Sequence, residues 1–356
     1  MKSKYFLATF LFLQIIFIQI LKFYPEFVER YYSNLIFPQI SETSRIFCSI
    51  FPFSVGDIIY FILILLIIKW LWNNRNSWKN NRKIYLLKII NCLSVFYFLF
   101  HLLWAFNYYR EPLFDKMKIK RDYSDKDLLA FTKKLILKTN DIHLQITKNT
   151  DEKVIFPYNF QQVFNRNLDG YNNLSKNCKA FDYKHLCLKK SLFSLPLTYM
   201  GFGGYLNPFT NEAQVNDLFP IYNLPMTSCH EMAHQIGYAN ESECNFIGFL
   251  ASINNDDLYF KYSGYTAALK YCLNNWEVRN PKIRLNLLKT INDGVLKNYQ
   301  ENKDFWKKYH TPIETFFEFF YDNFLKFNHQ KDGLDSYNKF VDLMVNYYKI
   351  EGNEFK

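Results

Sequence analysis

The sequence predicts a mainly α fold: an N-terminal three-helix transmembrane region, then an α+β domain with a small sheet and a helical C-terminal part. Three observations predict it. Long apolar runs crowd into the first third of the chain. A glycine-punctuated stretch of short β-prone pieces lies past the middle, and helical periodicity runs from residue 240 onward. The expected division is a membrane region over 1–109 and a second domain over 110–356.

The runs come first. Of the 356 residues, 49% are hydrophobic and 20% aromatic, which is high for a soluble enzyme, and they are unevenly placed. Residues 5–21 (YFLATFLFLQIIFIQIL) and 89–109 (IINCLSVFYFLFHLLWAFNYY) carry no charge, and 58–72 (IIYFILILLIIKWLW) carries only Lys69. Each is about long enough for a bilayer span, and none has the polar stripe of a buried soluble helix. The first could instead be a signal peptide. Its apolar stretch is longer than the usual h-region, and "KFYPEFVER" lacks a small-residue cleavage pattern, which favours retention as an anchor.

Basic residues set the expected orientation. Lys2 and Lys4 precede the first span, and the link between the second and third carries Arg75, Lys79, Arg82 and Lys83 with no acid. Short basic loops stay in the cytoplasm, so the N-terminus is expected inside and everything after Tyr109 outside, on the extracytoplasmic face of the cytoplasmic membrane. The same distribution accounts for the densest part of the +10 net charge. No basic stripe interleaved with aromatics points to nucleic acid. The expected partners are the lipid bilayer and a peptide or protein substrate, with the oligomeric state open. Seven cysteines form no CxxC pair. Cys178 and Cys187 are spaced to close a short loop, or remain free thiols.

In the outer domain, Ser124 with Asp127 resembles a capping box opening a helix. "LTYMGFGGYLNPFTNEAQVNDLFP" reads as one or two short strands with turns, leading to Pro225 and a helix. Helices are then expected over 241–253, 262–275, 281–299, 303–327 and 336–348, with Gly333 among the breakers. The aromatic "FWKKYHTPIETFFEFFYDNFLKF" repeats charges among its phenylalanines, as an amphipathic core or membrane-facing helix does, rather than a fourth span. His310 and His329 read as surface or interhelix residues.

The chemistry concentrates in "SCHEMAHQIGYANESECNF", residues 228–246. If Thr227 or Ser228 caps a helix running to Ile236, His230 and His234 lie one turn apart on one face. That spacing lets two imidazoles meet one Zn2+. Glu231 sits beside the first as a general base for water polarised by the metal. Cys229, about 100° around the helix, faces away. Gly237 is placed to end the helix with positive φ, and Asn240 to cap the next, with Glu243 completing a capping box. That leaves Glu241 as third ligand and Asn245, one turn on, to hydrogen-bond a ligand. Glu243 is the alternative third ligand. Two histidines and one glutamate leave a position open for water, as a catalytic zinc requires.

HEMAH at 230–234 with ESECN at 241–245 resembles the zincin metallopeptidases whose third ligand comes from an ExxxD or ExxxN helix. The gap between the two motifs is shorter here, and Asn stands where Asp is commoner. The resemblance implies a zincin-like domain with zinc ligands His230, His234 and Glu241, Glu231 as general base, and Asn245 behind the site. The layout also resembles an uncharacterised family of bacterial membrane proteins with three N-terminal spans, a "YYREPL"-like exit and a "GGYLNPFTNEAQVN"-like stretch. That resemblance implies no substrate.

A strand before the HExxH helix would bind an extended peptide along its edge, which makes Glu212 and Asn216 candidate substrate contacts. An oxyanion needs a further donor, and Tyr265, in the dense "YSGYTAALKY", is the candidate among Tyr238, Tyr262, Tyr265 and Tyr271. The expected activity is a membrane-anchored zinc metallopeptidase. The alternative is a non-catalytic membrane scaffold or assembly factor with a structural or vestigial zinc. Intramembrane proteolysis fits poorly, because the flanks of the motif are too polar for bilayer depth.

Overall fold

The computed structural model of the chain describes residues 2–328, 330 and 337–350. Helix α1 (Phe6–Leu21) leads through a 104° bend into α2 (Pro25–Ser49), whose stretch Val28–Ile36 is π-helical. Helices α3 (Val55–Asn74) and α4 (Arg82–Leu103) follow. Both are long and apolar enough to cross a membrane, and α1 with α2 passes the same test as one bent pair. Side chains such as Phe61, Leu65 and Ile67 on α3 are about half exposed. A run of apolar groups with no protein cover suits hydrocarbon rather than water.

The third run differs from expectation. Its helix starts at Arg82 and ends at Leu103; Trp104 leaves helical geometry, and Ala105–Tyr109 form a 3-10 turn. Trp104, Ala105 and Tyr109 are buried in a cluster with Phe37 and Ala239, so their apolar character serves the protein interior. Hydropathy cannot separate these two uses of an aromatic residue.

Helix α2 also crosses the boundary expected at 109/110. Its Ser41 hydroxyl donates to the Gln235 carbonyl at 2.7 Å, and Phe37 is fully buried. Arg110 makes a two-pronged ion pair with Glu29, both bonds at 2.8 Å, and Lys116 joins from the other side. Burial pushes the Glu29 carboxyl up, but the hydrogen bonds and charges of Arg110 and Lys116 outweigh it and hold the pKa at about 2. The segment between α1 and α3 is thus built into the body that follows α4.

That body opens with α5 (Asp125–Thr147), started by the expected Ser124/Asp127 capping box, and α6 (Phe160–Ser175). A three-stranded sheet of β1 (Leu188–Lys190), β2 (Gly204–Leu206) and β3 (Ala213–Val215) has the order β1-β3-β2, with β1 parallel and β2 antiparallel to the centre. Ala213 and Val215 point into the core, as alternation requires. Glu212, expected as a substrate contact, instead accepts from the backbone N–H groups of Val55 and Gly56 at 3.0 and 2.6 Å. It is a buried carboxylate on the N-terminus of α3, where the helix dipole favours negative charge. Asn216 is likewise structural: its amide donates to Thr198 Oγ1 and the Phe202 carbonyl, and its Oδ1 accepts from Leu218 N.

Helices α7 (Leu224–Gln235), α8 (Glu241–Asn254), α9 (Leu258–Arg279), α10 (Pro281–Leu288), α11 (Asp293–Tyr309), α12 (Pro312–Phe327) and α13 (Tyr337–Tyr347) complete the body. Every residue of α8 is buried, which makes it the axis of the core. The single helix expected over 303–327 is two. Pro312 forces Thr311 into an extended conformation (φ −146, ψ 165), and α12 restarts from there. Gly333 and His329 lie outside the described residues.

Candidate metal centre

Helix α7 begins at Leu224 with Pro225 in its first turn, three residues before the expected cap. Thr227 and Ser228 therefore lie within the helix. It ends where expected: Gly237 has φ +89 and turns the chain back. Asn240 then caps α8 through Ser242 N at 3.0 Å. Glu243 makes no capping box; its Oε1 accepts from Leu113 N at 2.7 Å, facing Arg110 and Lys116. Burial lifts its pKa to about 7, against the opposing pull of Leu113 N and Arg110. The acid that clusters with the two histidines is Glu241.

His230, His234 and Glu241 come together, their ligand atoms all within 4.8 Å of one another. The Nε2 atoms of His230 and His234 lie 3.2 and 3.6 Å from the two Glu241 oxygens. Donors arranged tetrahedrally about 2.1 Å from one ion are separated by about 3.4 Å, so the spacing suits zinc. Both rings are held from behind. His230 Nδ1 faces Asn245 Oδ1 at 3.0 Å, and His234 Nδ1 faces the Tyr238 carbonyl at 2.8 Å. With a carbonyl oxygen at each Nδ1, the proton of each neutral ring belongs there, and each Nε2 presents a lone pair.

Two lone pairs and a carboxylate, all acceptors, converge in a buried space. One electrostatic resolution is protonation: burial opposes a charged His234, but Cys244 and Glu241 outweigh it and draw its pKa well above the ordinary value. Burial likewise pushes Glu241 up, yet His234 and His230 hold it well below the carboxylate range. Two imidazoliums with ring centroids 4.8 Å apart would repel, whereas one divalent cation satisfies all three groups. The donor set therefore fits a metal.

Glu231 supports this fit. It is 4% exposed, its Oε2 has no hydrogen-bond partner among the described residues, and its carboxyl lies against β2, where a Cβ on Gly204 would come within 2.8 Å of Oε1. Burial raises its pKa, with His230 and His234 pulling the other way and Glu241 adding to the rise.

The remaining candidates divide. Cys229 faces away, as expected, with Sγ 3.3 Å from Asn167 Oδ1. Tyr265 is fully buried, its ring packed edge-on against Phe249. Cys178 and Cys187 are both free thiols. Two contributors escaped the sequence reading. Cys244 Sγ sits behind His234, 3.2 Å from Nδ1 and 3.1 Å from the Tyr238 carbonyl. Tyr321 on α12 donates its hydroxyl to Glu241 Oε1 at 2.7 Å. Among 27 tyrosines, nothing local marks that one.

Residues 32–345 match the family described as Protein of unknown function (DUF3810). The chain belongs to the DUF3810 family. The DUF3810 match begins in α2 and ends in α13, so it takes in most of α2, both membrane-length helices and the whole His230/His234/Glu241 centre. No curated protein and no solved structure matches the chain.

Proposed function

We propose that this chain is a membrane-anchored zinc-dependent metallopeptidase, a hydrolase of peptide bonds with Glu231 as general base. The observation that carries the reading is the convergence of the His230 and His234 Nε2 atoms and the Glu241 carboxylate at tetrahedral spacing, beside a buried Glu231 whose Oε2 has no partner among the described residues. His230, His234 and Glu241 hold the ion. Zinc bound there supplies Lewis acidity, which lowers the pKa of a water molecule and polarises a carbonyl.

Glu231 takes a proton from the attacking water at a carboxylate oxygen and delivers it to the departing amine nitrogen. Its raised pKa suits both halves of that transfer near neutral pH. β2, against which Glu231 lies, is an edge strand, and its outer edge is the place for an extended peptide to add as a strand. Asn245 and the Tyr238 carbonyl orient the two rings. Both long spans bring the α2 segment and the body to one end and the basic link 75–83 to the other. By the positive-inside rule that body is extracytoplasmic on the cytoplasmic membrane.

The test uses the full chain purified in detergent. Stoichiometric zinc is expected, with peptide cleavage abolished and zinc retained in Glu231→Gln, and both lost in His230→Ala. Full zinc occupancy without hydrolysis of any peptide in a broad library would favour a structural zinc in a membrane scaffold.

A further inference from the structure

Helix α12 turns its apolar side outward. Ile313, Phe316, Phe319, Phe320 and Phe327 share one face at helical spacing and are 52–72% exposed. The opposite side carries Tyr321 and the fully buried Leu325, with Glu318 and Asp322 along one flank. A soluble domain buries the apolar stripe of an amphipathic helix; this one buries Leu325 on the other side and leaves the stripe without cover among the described residues.

What covers it follows from its position. Phe324 lies 6.4 Å from both Phe100, in the last turn of α4, and Tyr108, just beyond it. The exposed face of α12 thus continues the lipid-length apolar surface at the end where α4 enters the body. Just after α1, whose Phe17 ring packs on Phe106 two residues before Tyr108, Phe23, Tyr24 and Phe27 are all more than half exposed. Immediately before α12, the exposed Lys307 and Lys308 stand between Trp306 and Tyr309. Aromatic rings interleaved with lysines are the composition of the headgroup boundary.

We infer that α12 is an interfacial membrane helix, lying in the plane of the bilayer with its phenylalanine face in the headgroup–acyl boundary. It is a contact with lipid separate from the spans, and it reaches the metal centre: the helix that seats these phenylalanines also carries the Tyr321 hydroxyl to Glu241 Oε1. The partner of a metal ligand is thereby held in place by a helix that the bilayer positions. This placement does not depend on the zinc reading.

The test places the photoreactive residue p-benzoylphenylalanine at position 316, 319 or 327 of the full chain in vesicles of phosphatidylethanolamine and phosphatidylglycerol. Leu65 on α3 serves as the lipid-facing reference and Val278, 87% exposed on α9, as the water-facing one. Lipid adducts are expected at the α12 positions at yields like that of position 65, and about tenfold above position 278. The same pattern is expected in His230→Ala, which separates this result from failure of the metal site. Adducts at position 65 but none at 316, 319 or 327, or cross-links there to a second copy of the chain, would overturn the placement.

Discussion

Gly248 on α8 lies directly against the backbone of His230 on α7: a Cβ at position 248 would stand 2.9 Å from the His230 nitrogen. Glu241, Asn245 and Gly248 recur at helical spacing on one face of α8, so the contact that sets the helix separation also sets the distance from Glu241 to the histidines. Gly248→Ala forces the helices apart. Overpacking of this kind costs about 1–3 kcal/mol. The expected outcome is a lower melting temperature in detergent together with weaker zinc binding, measured by unfolding scans across a zinc titration.

Zinc should stabilise the native chain by mass action. At a free concentration about a thousand times Kd the gain is about 4 kcal/mol. A thermal-shift series with added zinc should show a rise that a chelator reverses, and His234→Ala should show none. An equal rise in His234→Ala would place the bound ion elsewhere.

Asn245 holds His230 by its Nδ1 at 3.0 Å without touching the ion position. Removing that support frees the ring to rotate and should weaken zinc binding about 10–100-fold in Asn245→Ala. Competition against a zinc-binding dye measures it, and Asn245→Asp, which keeps the acceptor, should restore most of the affinity.

The Glu29–Arg110 pair makes a pH-dependent contribution to stability. The folded pKa of about 2 lies below the ordinary value of 4.5, so the stabilisation is complete above pH 4.5 and is lost as pH falls toward 2. Breaking a buried pair costs about 3–5 kcal/mol. Glu29→Gln should therefore unfold at lower temperature than the native chain at pH 7, and the two curves should converge between pH 4.5 and 2. A gap unchanged at pH 2 would mean that the carboxylate charge is not what matters.

Local signals in the chain carried much of this. Ser124 and Asp127 close their capping box within one turn, and Gly237 adopts the positive φ that its place after HEMAH requires. Two of the three apolar runs marked helices of membrane length, and the first marked one that passes only together with α2 as a bent pair. Where hydropathy failed, at Trp104 to Tyr109, the reason was that lipid and a protein core select the same side chains. Glu212 and Asn216 were misread for a related reason: a polar residue beside a strand looks alike whether it binds a substrate or caps a distant helix.

By itself, the sequence determined the pairing of His230 with His234, since four residues make one helical turn wherever the helix lies. Only the tertiary structure decided that Glu241 and not Glu243 joins them. That choice depends on how α8 is rotated against α7, which the Gly248 contact and the Leu113–Glu243 hydrogen bond set from outside the motif. Tyr321 belongs to the same class, because no periodicity connects groups that 80 residues separate and only packing brings together.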